Sequence, residues 1–101
     1  MTANLPVVFD SRAEDDIDAA VQWYAQQPSE LAQEFLEALD VALERVVQYP
    51  EAHREVDSGI RRALMKKFPY FIYYTVNSDH IAILAVLHTR RAPAISRQRL
   101  E

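Results

Sequence analysis

Apolar positions recur along this chain in two rhythms. Between residues 12 and 48 they return every three or four residues, and from residue 60 to residue 88 they come in short unbroken runs. The first rhythm belongs to amphipathic helices and the second to strands buried on both faces or nearly so. Ile17, Ala20, Val21 and Tyr24 form one apolar face and predict a helix over Arg12–Gln26. Ser11-Arg12-Ala13-Glu14 reads as a capping box: Ser11 accepts from the amide of residue 14, and Glu14 reaches back to the Ser11 amide. Asp15, Asp16 and Asp18 then fall in the first turns, where the helix dipole favours negative charge. Gln27-Pro28 ends the helix, because proline disfavours a helical residue before it.

Ser29 is placed to cap a second helix. Leu31, Phe35, Leu39, Ala42, Leu43 and Val46 step by three or four, and Leu36 and Val47 widen the stripe. A stripe this broad predicts packing against more than one element. Glu30, Gln33, Glu34, Glu37, Asp40 and Glu44 occupy the other face, and Pro50 stops the helix near Gln48. The short connection makes the pair an antiparallel hairpin.

The stretch Gly59–Arg91 holds three apolar runs divided by Lys66-Lys67-Phe68-Pro69 and Asn77-Ser78-Asp79. It predicts a three-stranded antiparallel meander, starting with Ile60–Met65. Alternation puts Tyr70, Ile72, Tyr74 and Val76 on one face, with Phe71, Tyr73 and Thr75 on the other. Val7–Phe9, after Pro6, reads as a first strand that joins this sheet. Glu51–Ser58 is polar and reads as a loop. Gly59, the only glycine, fits a turn that needs positive φ. The expected fold is α+β, in the order β-α-α-β-β-β, with an antiparallel sheet packed on a helical hairpin. At 101 residues the chain reads as one domain, 1–101, with the tail 92–101 either frayed or ordered against the sheet or a partner.

No window holds the ~18 uninterrupted apolar residues of a membrane span, and the first residues lack the pattern of a signal peptide. There is no cysteine, which excludes disulfides and thiolate metal sites and fits the cytoplasm. His53, His80 and His88 show no ligand spacing with carboxylates, so no metal and no cofactor are expected. The net charge of −4 hides a division. Residues 1–57 carry thirteen acids and three bases, whereas residues 58–101 carry eight bases and two acids. Acidic helix faces account for the first half. The basic half points to an acidic partner, with Arg61, Lys66, Lys67, Arg90, Arg91, Arg97 and Arg99 as the candidate contacts.

The chain resembles the RelE/ParE superfamily of toxins from bacterial toxin–antitoxin pairs. The fragments that carry the resemblance are Pro50 at the end of the long helix, Gly59-Ile60-Arg61, Phe68 to Tyr74, and Ile83–Leu87 followed by His88-Thr89-Arg90-Arg91 and Pro93. They run in order over nearly the whole chain. The resemblance implies a cognate antitoxin that lays a helix, and a strand beside it, across the sheet and helical surfaces. Operator DNA would then be met only through that antitoxin. Two activities compete within the superfamily. RelE-like toxins are ribosome-dependent messenger-RNA endoribonucleases, and ParE-like toxins poison DNA gyrase. The long hairpin and the strand sequences look ParE-like.

In-line RNA cleavage needs a base, an acid and a cationic cradle. Here Arg61, Lys66 and Arg90 are the candidate cradle and His88 is the candidate base, since histidine changes charge near neutral pH. RelE-like enzymes place a Tyr or His shortly after the final basic pair. Arg91 is followed instead by Ala-Pro-Ala-Ile-Ser, with neither residue through Glu101. The reading that follows is a non-enzymatic ParE-like toxin aimed at gyrase. The RNase and a non-toxic antitoxin-binding relative stand as its rivals. Tyr70, Phe71, Tyr73 and Tyr74 fit either core and antitoxin contact or base stacking.

Overall fold

A computed structural model describes residues 4–91. They form β1 (Val7–Phe9), α1 (Ser11–Ala25), α2 (Leu31–Gln48), β2 (Arg54–Asp57), β3 (Ile60–Leu64), β4 (Tyr70–Val76) and β5 (Ile81–His88). The fold is α+β, with two helices packed on a five-stranded sheet ordered β1-β5-β4-β3-β2. The expected meander is β3-β4-β5, antiparallel throughout. β1 joins it too, but runs parallel to β5, with Val7 opposite Ile81 and Phe9 opposite Ile83. The sheet is therefore mixed rather than antiparallel. Parallel neighbours need a long crossover, and here both helices and three strands separate the pair.

Residues 51–58 give the second correction. Instead of a loop throughout, they contain β2, antiparallel to β3 with Arg54 opposite Arg62 and Glu55 opposite Arg61. Three of its four residues are charged, so no apolar alternation announced it. It pairs because Gly59, at φ 75°, folds the chain back as expected. A Cβ at Gly59 would meet nothing within 4 Å, so the demand there is conformational rather than steric. Opposite charges across the ladder help: Arg61 Nη2 lies 3.8 Å from Glu55 Oε1.

Both helix starts differ from expectation. Asp10, not Ser11, caps α1, and its Oδ1 accepts the Arg12 N–H at 2.8 Å. Residue 10 is still extended, and its amide donates to Ile83 O at 2.9 Å. The ladder of β1 thus fixes where the helix begins, and no Ser11–Glu14 capping box forms. At α2 the cap position is Glu30, without a side-chain bond. Ser29 instead donates its amide to Gln27 O at 2.8 Å, inside the turn around Pro28.

The core lies between helices and sheet. Tyr24, Phe35, Phe68 and Tyr70 form its aromatic centre, with Tyr24–Phe68 centroids 5.1 Å apart and Phe35–Tyr70 5.1 Å apart. Ile72, Tyr74, Ile81, Ile83 and Val86 extend it across the sheet. Tyr73 and Phe71 join Ile60, Ala85 and Leu87 on the other face, as alternation predicts. β5 bulges, so that Tyr73 faces Ala85 while Tyr74 faces Ile83. The extra residue, Leu84, lets both Ile83 and Val86 reach the helical side. Leu36, expected to widen the apolar stripe of α2, is exposed instead.

Candidate functional site

The loop between β3 and β4 is tight because three features agree. Met65 donates its amide to Tyr70 O at 2.9 Å, and Tyr70 donates to Phe68 O at 2.8 Å. Phe68 is buried on Tyr24 and Phe35. Lys67 takes up the remaining curvature at φ 72°, a left-handed conformation that costs a non-glycine residue about 1–2 kcal/mol. The loop thereby presents Lys66 and Lys67 at one end of the sheet. The Thr89 amide donates to Pro69 O at 2.8 Å, which fastens the end of β5 beside that loop. Arg91 N–H to His88 O, at 2.9 Å, closes a turn there.

Lys66, Lys67, His88, Arg90 and Arg91 therefore meet at one end of the molecule. Lys67 Nζ lies 3.5 Å from Glu34 Oε1, with both side chains largely in water, where such a pair is worth about 0–1 kcal/mol. Among the described residues, Lys66, Arg90 and Arg91 have no carboxylate partner. His88 Nδ1 accepts the Arg90 N–H at 3.1 Å, so the neutral ring carries its proton on Nε2. The ring sits edge-on to Tyr70 with centroids 5.2 Å apart. Tyr70 is pushed up to about 12 by burial and by Tyr24, against the opposing charge of Arg91.

Arg61 is elsewhere. It lies opposite Tyr74, while His88 lies opposite Tyr70. Four residues along β4 and two strand spacings put them about 16 Å apart. Its Nη1 donates to His53 O at 2.7 Å and to Glu51 O at 3.2 Å, clasping the segment after α2. Arg62 points to the other face of β3, with its guanidinium 4.0 Å from the Phe71 ring centroid. The candidate RNase set of Arg61, Lys66, His88 and Arg90 is thus not drawn together around one point. Arg97 and Arg99 lie outside the described residues.

Two surface features escaped the sequence reading. The first is an apolar groove of about 270 Å³ between α2 and the end of β3, lined by Ala38, Val41, Ala42 and Leu64 and rimmed by Arg45, Lys66 and Lys67. β2 begins only at Arg54, opposite Arg62, so no described strand pairs with Leu64 on that side. The second is Trp23, 59% exposed on α1, beside His88 and Arg91. A signal existed for it: Trp23 stands off the stripe of Ile17, Ala20, Val21 and Tyr24.

The fold has counterparts among known proteins. A family model described as the ParE toxin of type II toxin-antitoxin system, parDE, matches residues 7–93. The chain belongs to the ParE toxin family. A solved structure described as the chromosomal ParDE TA system from P. aeruginosa is similar in fold, with a TM-score of 0.72 at 19% identity. The likeness covers 83% of this chain and 95% of that one. No curated protein matches the chain. The ParE-family match includes Lys66, Lys67, Arg90 and Arg91 and stops at Pro93, short of Arg97 and Arg99.

Proposed function

We propose that this ParE-family protein is a growth-arresting toxin that acts in the cytoplasm by binding and inhibiting DNA gyrase, and that a cognate antitoxin holds it inactive. The observation that carries the reading is the end of the sheet where Lys66, Arg90 and Arg91 stand without carboxylate partners among the described residues. Unpaired cations on an otherwise acidic protein favour encounter with an acidic partner surface. Arg97 and Arg99 add to that contact by their sequence position, while Arg61 clasps the segment after α2. The same geometry weighs against the candidate RNase set, because strand register places Arg61 about 16 Å from His88. The groove at Val41 and Leu64 suits the antitoxin. It offers apolar surface for an amphipathic helix, an unpaired strand edge for an extended segment, and cations for acidic side chains. DNA at an operator is reached only through that antitoxin.

The test is expression of the chain alone, with growth, DNA supercoiling and messenger-RNA integrity followed together. Growth arrest with a supercoiling defect and intact messenger is the expected result. Reversing Arg90, Arg91 and Arg97 together to Glu should abolish it, and arrest that persists in this variant removes the cationic end from the mechanism. Codon-phased messenger cuts would instead assign the chain to the RNases, and harmless expression would make it an antitoxin-binding relative.

A further inference from the structure

We propose that the cleft between α1 and the end of β5 is the toxin's anchor pocket for its target, and that it takes an acidic protein segment with one apolar side chain beside a carboxylate. The inference rests on the toxin reading and adds to it a site and a chemistry.

The cleft is lined by Asp16, Trp23, Tyr70, Val86, His88 and Arg91. Its volume is about 170 Å³, and an apolar cavity of ~150 Å³ holds a benzene, so one side chain fits. The room exists because two of the four α1 residues that border it, Ala19 and Ala20, are small. Val86 supplies an apolar floor and Trp23 an indole wall. Asp16 turns its Oδ2 to the β5 backbone, where it accepts the Val86 N–H at 3.0 Å, at the point where β5 has run past the end of β1. Arg91, in contrast, has no carboxylate partner among the described residues. A guanidinium in that position recognises a carboxylate through paired N–H donors. Trp, Tyr and Arg are the residue types that most often dominate binding energy at protein interfaces, and the cleft brings one of each together.

A protein segment fits better than a nucleic acid. Asp15 and Asp18 are exposed on α1 within a turn of the cleft, and a run of phosphates would have to pass them. An acidic segment needs only a point contact at Arg91, with Arg90, Lys66 and Lys67 to steer its approach.

The full chain and its Trp23→Ala, Trp23→Phe and Arg91→Glu variants should be compared for growth arrest across an expression range, with thermal melting as the check on folding. Supercoiling by purified gyrase is the second readout. Trp23→Ala and Arg91→Glu should each raise the dose needed for arrest by about tenfold or more, as expected for interface anchors, and Trp23→Phe should keep most of the potency. Folded variants that arrest growth at the parental dose overturn the proposal. Arrest that depends on Trp23 while supercoiling is untouched keeps the cleft and rejects gyrase as the target. If the parent chain is harmless, the toxin reading fails by itself, and the cleft is decided by direct binding. Trp23 is the only tryptophan, so fluorotryptophan gives a single fluorine signal. Titration with a tryptophan-free peptide of Glu and Asp around one Phe should shift it, and the same peptide with Lys in place of the acids should not. No shift with either peptide, or equal shifts with both, overturns the proposal.

Discussion

Tyr74 is fully buried, yet its hydroxyl donates to Pro50 O at 2.6 Å and faces His53 Nδ1 at 3.0 Å. With its proton on Pro50, the hydroxyl must accept from His53, so the neutral His53 carries its proton on Nδ1. Burial pushes the Tyr74 hydroxyl up to about 12, against the opposing charge of Arg61. Tyr74→Phe would strand a carbonyl and a ring N–H. It should cost about 1–3 kcal/mol, which a thermal melt would read as a fall of several degrees in Tm. His53 is held below its ordinary value by burial, with Arg45 and Arg61 adding to the effect. Its folded form therefore binds a proton less readily than the unfolded chain. Stability from this source is complete above the ordinary histidine value of about 6.5 and declines as pH falls below it. Melting temperatures measured from pH 8 to pH 5 should fall in that window more steeply for the parent chain than for His53→Gln. Equal slopes would show that His53 does not couple to folding.

At the scale of the element, the long helices and the meander were legible because each has a sustained period. Helix α2 keeps its apolar step over eighteen residues, and β4 alternates between two faces over seven. Helix starts were not legible, because two residues in a row, Asp10 and Ser11, are both good caps. The β1 ladder chose between them by keeping Asp10 extended. Asp10→Ala should therefore cost about 1 kcal/mol, while Ser11→Ala should cost much less in the same chemical denaturation. Equal losses would restore the capping box. β2 was hidden for a different reason. Its charged sequence has no preference of its own for a strand, and it pairs because a glycine turn delivers it to the edge of β3.

For the whole molecule, the division of charge along the chain becomes a division in space. The two basic pairs lie 23 residues apart between Lys67 and Arg90, and the hydrogen bond from Thr89 to Pro69 brings them to one end. The groove at Val41 and Leu64 and the cleft at Trp23 open beside α2 and α1 respectively. Antitoxin binding and target binding should then be separable. Leu64→Glu should weaken capture of the chain by its antitoxin while leaving growth arrest intact, and Arg91→Glu should do the reverse. Loss of both activities in each folded variant would mean that one surface serves both partners.

The sequence by itself determined the α+β class, the helical hairpin, the meander and the family, because those depend on local period and on fragments kept in order. It also determined that the second half is basic. Only the tertiary structure decided which bases act together. Arg61 and Arg90 look alike along the chain, but strand register turns one inward to the backbone at Glu51 and His53 and leaves the other in solvent. It likewise decided that Trp23 stands beside Arg91. Long-range pairing and loop closure set such distances, and neither leaves a periodic trace in the residues it joins.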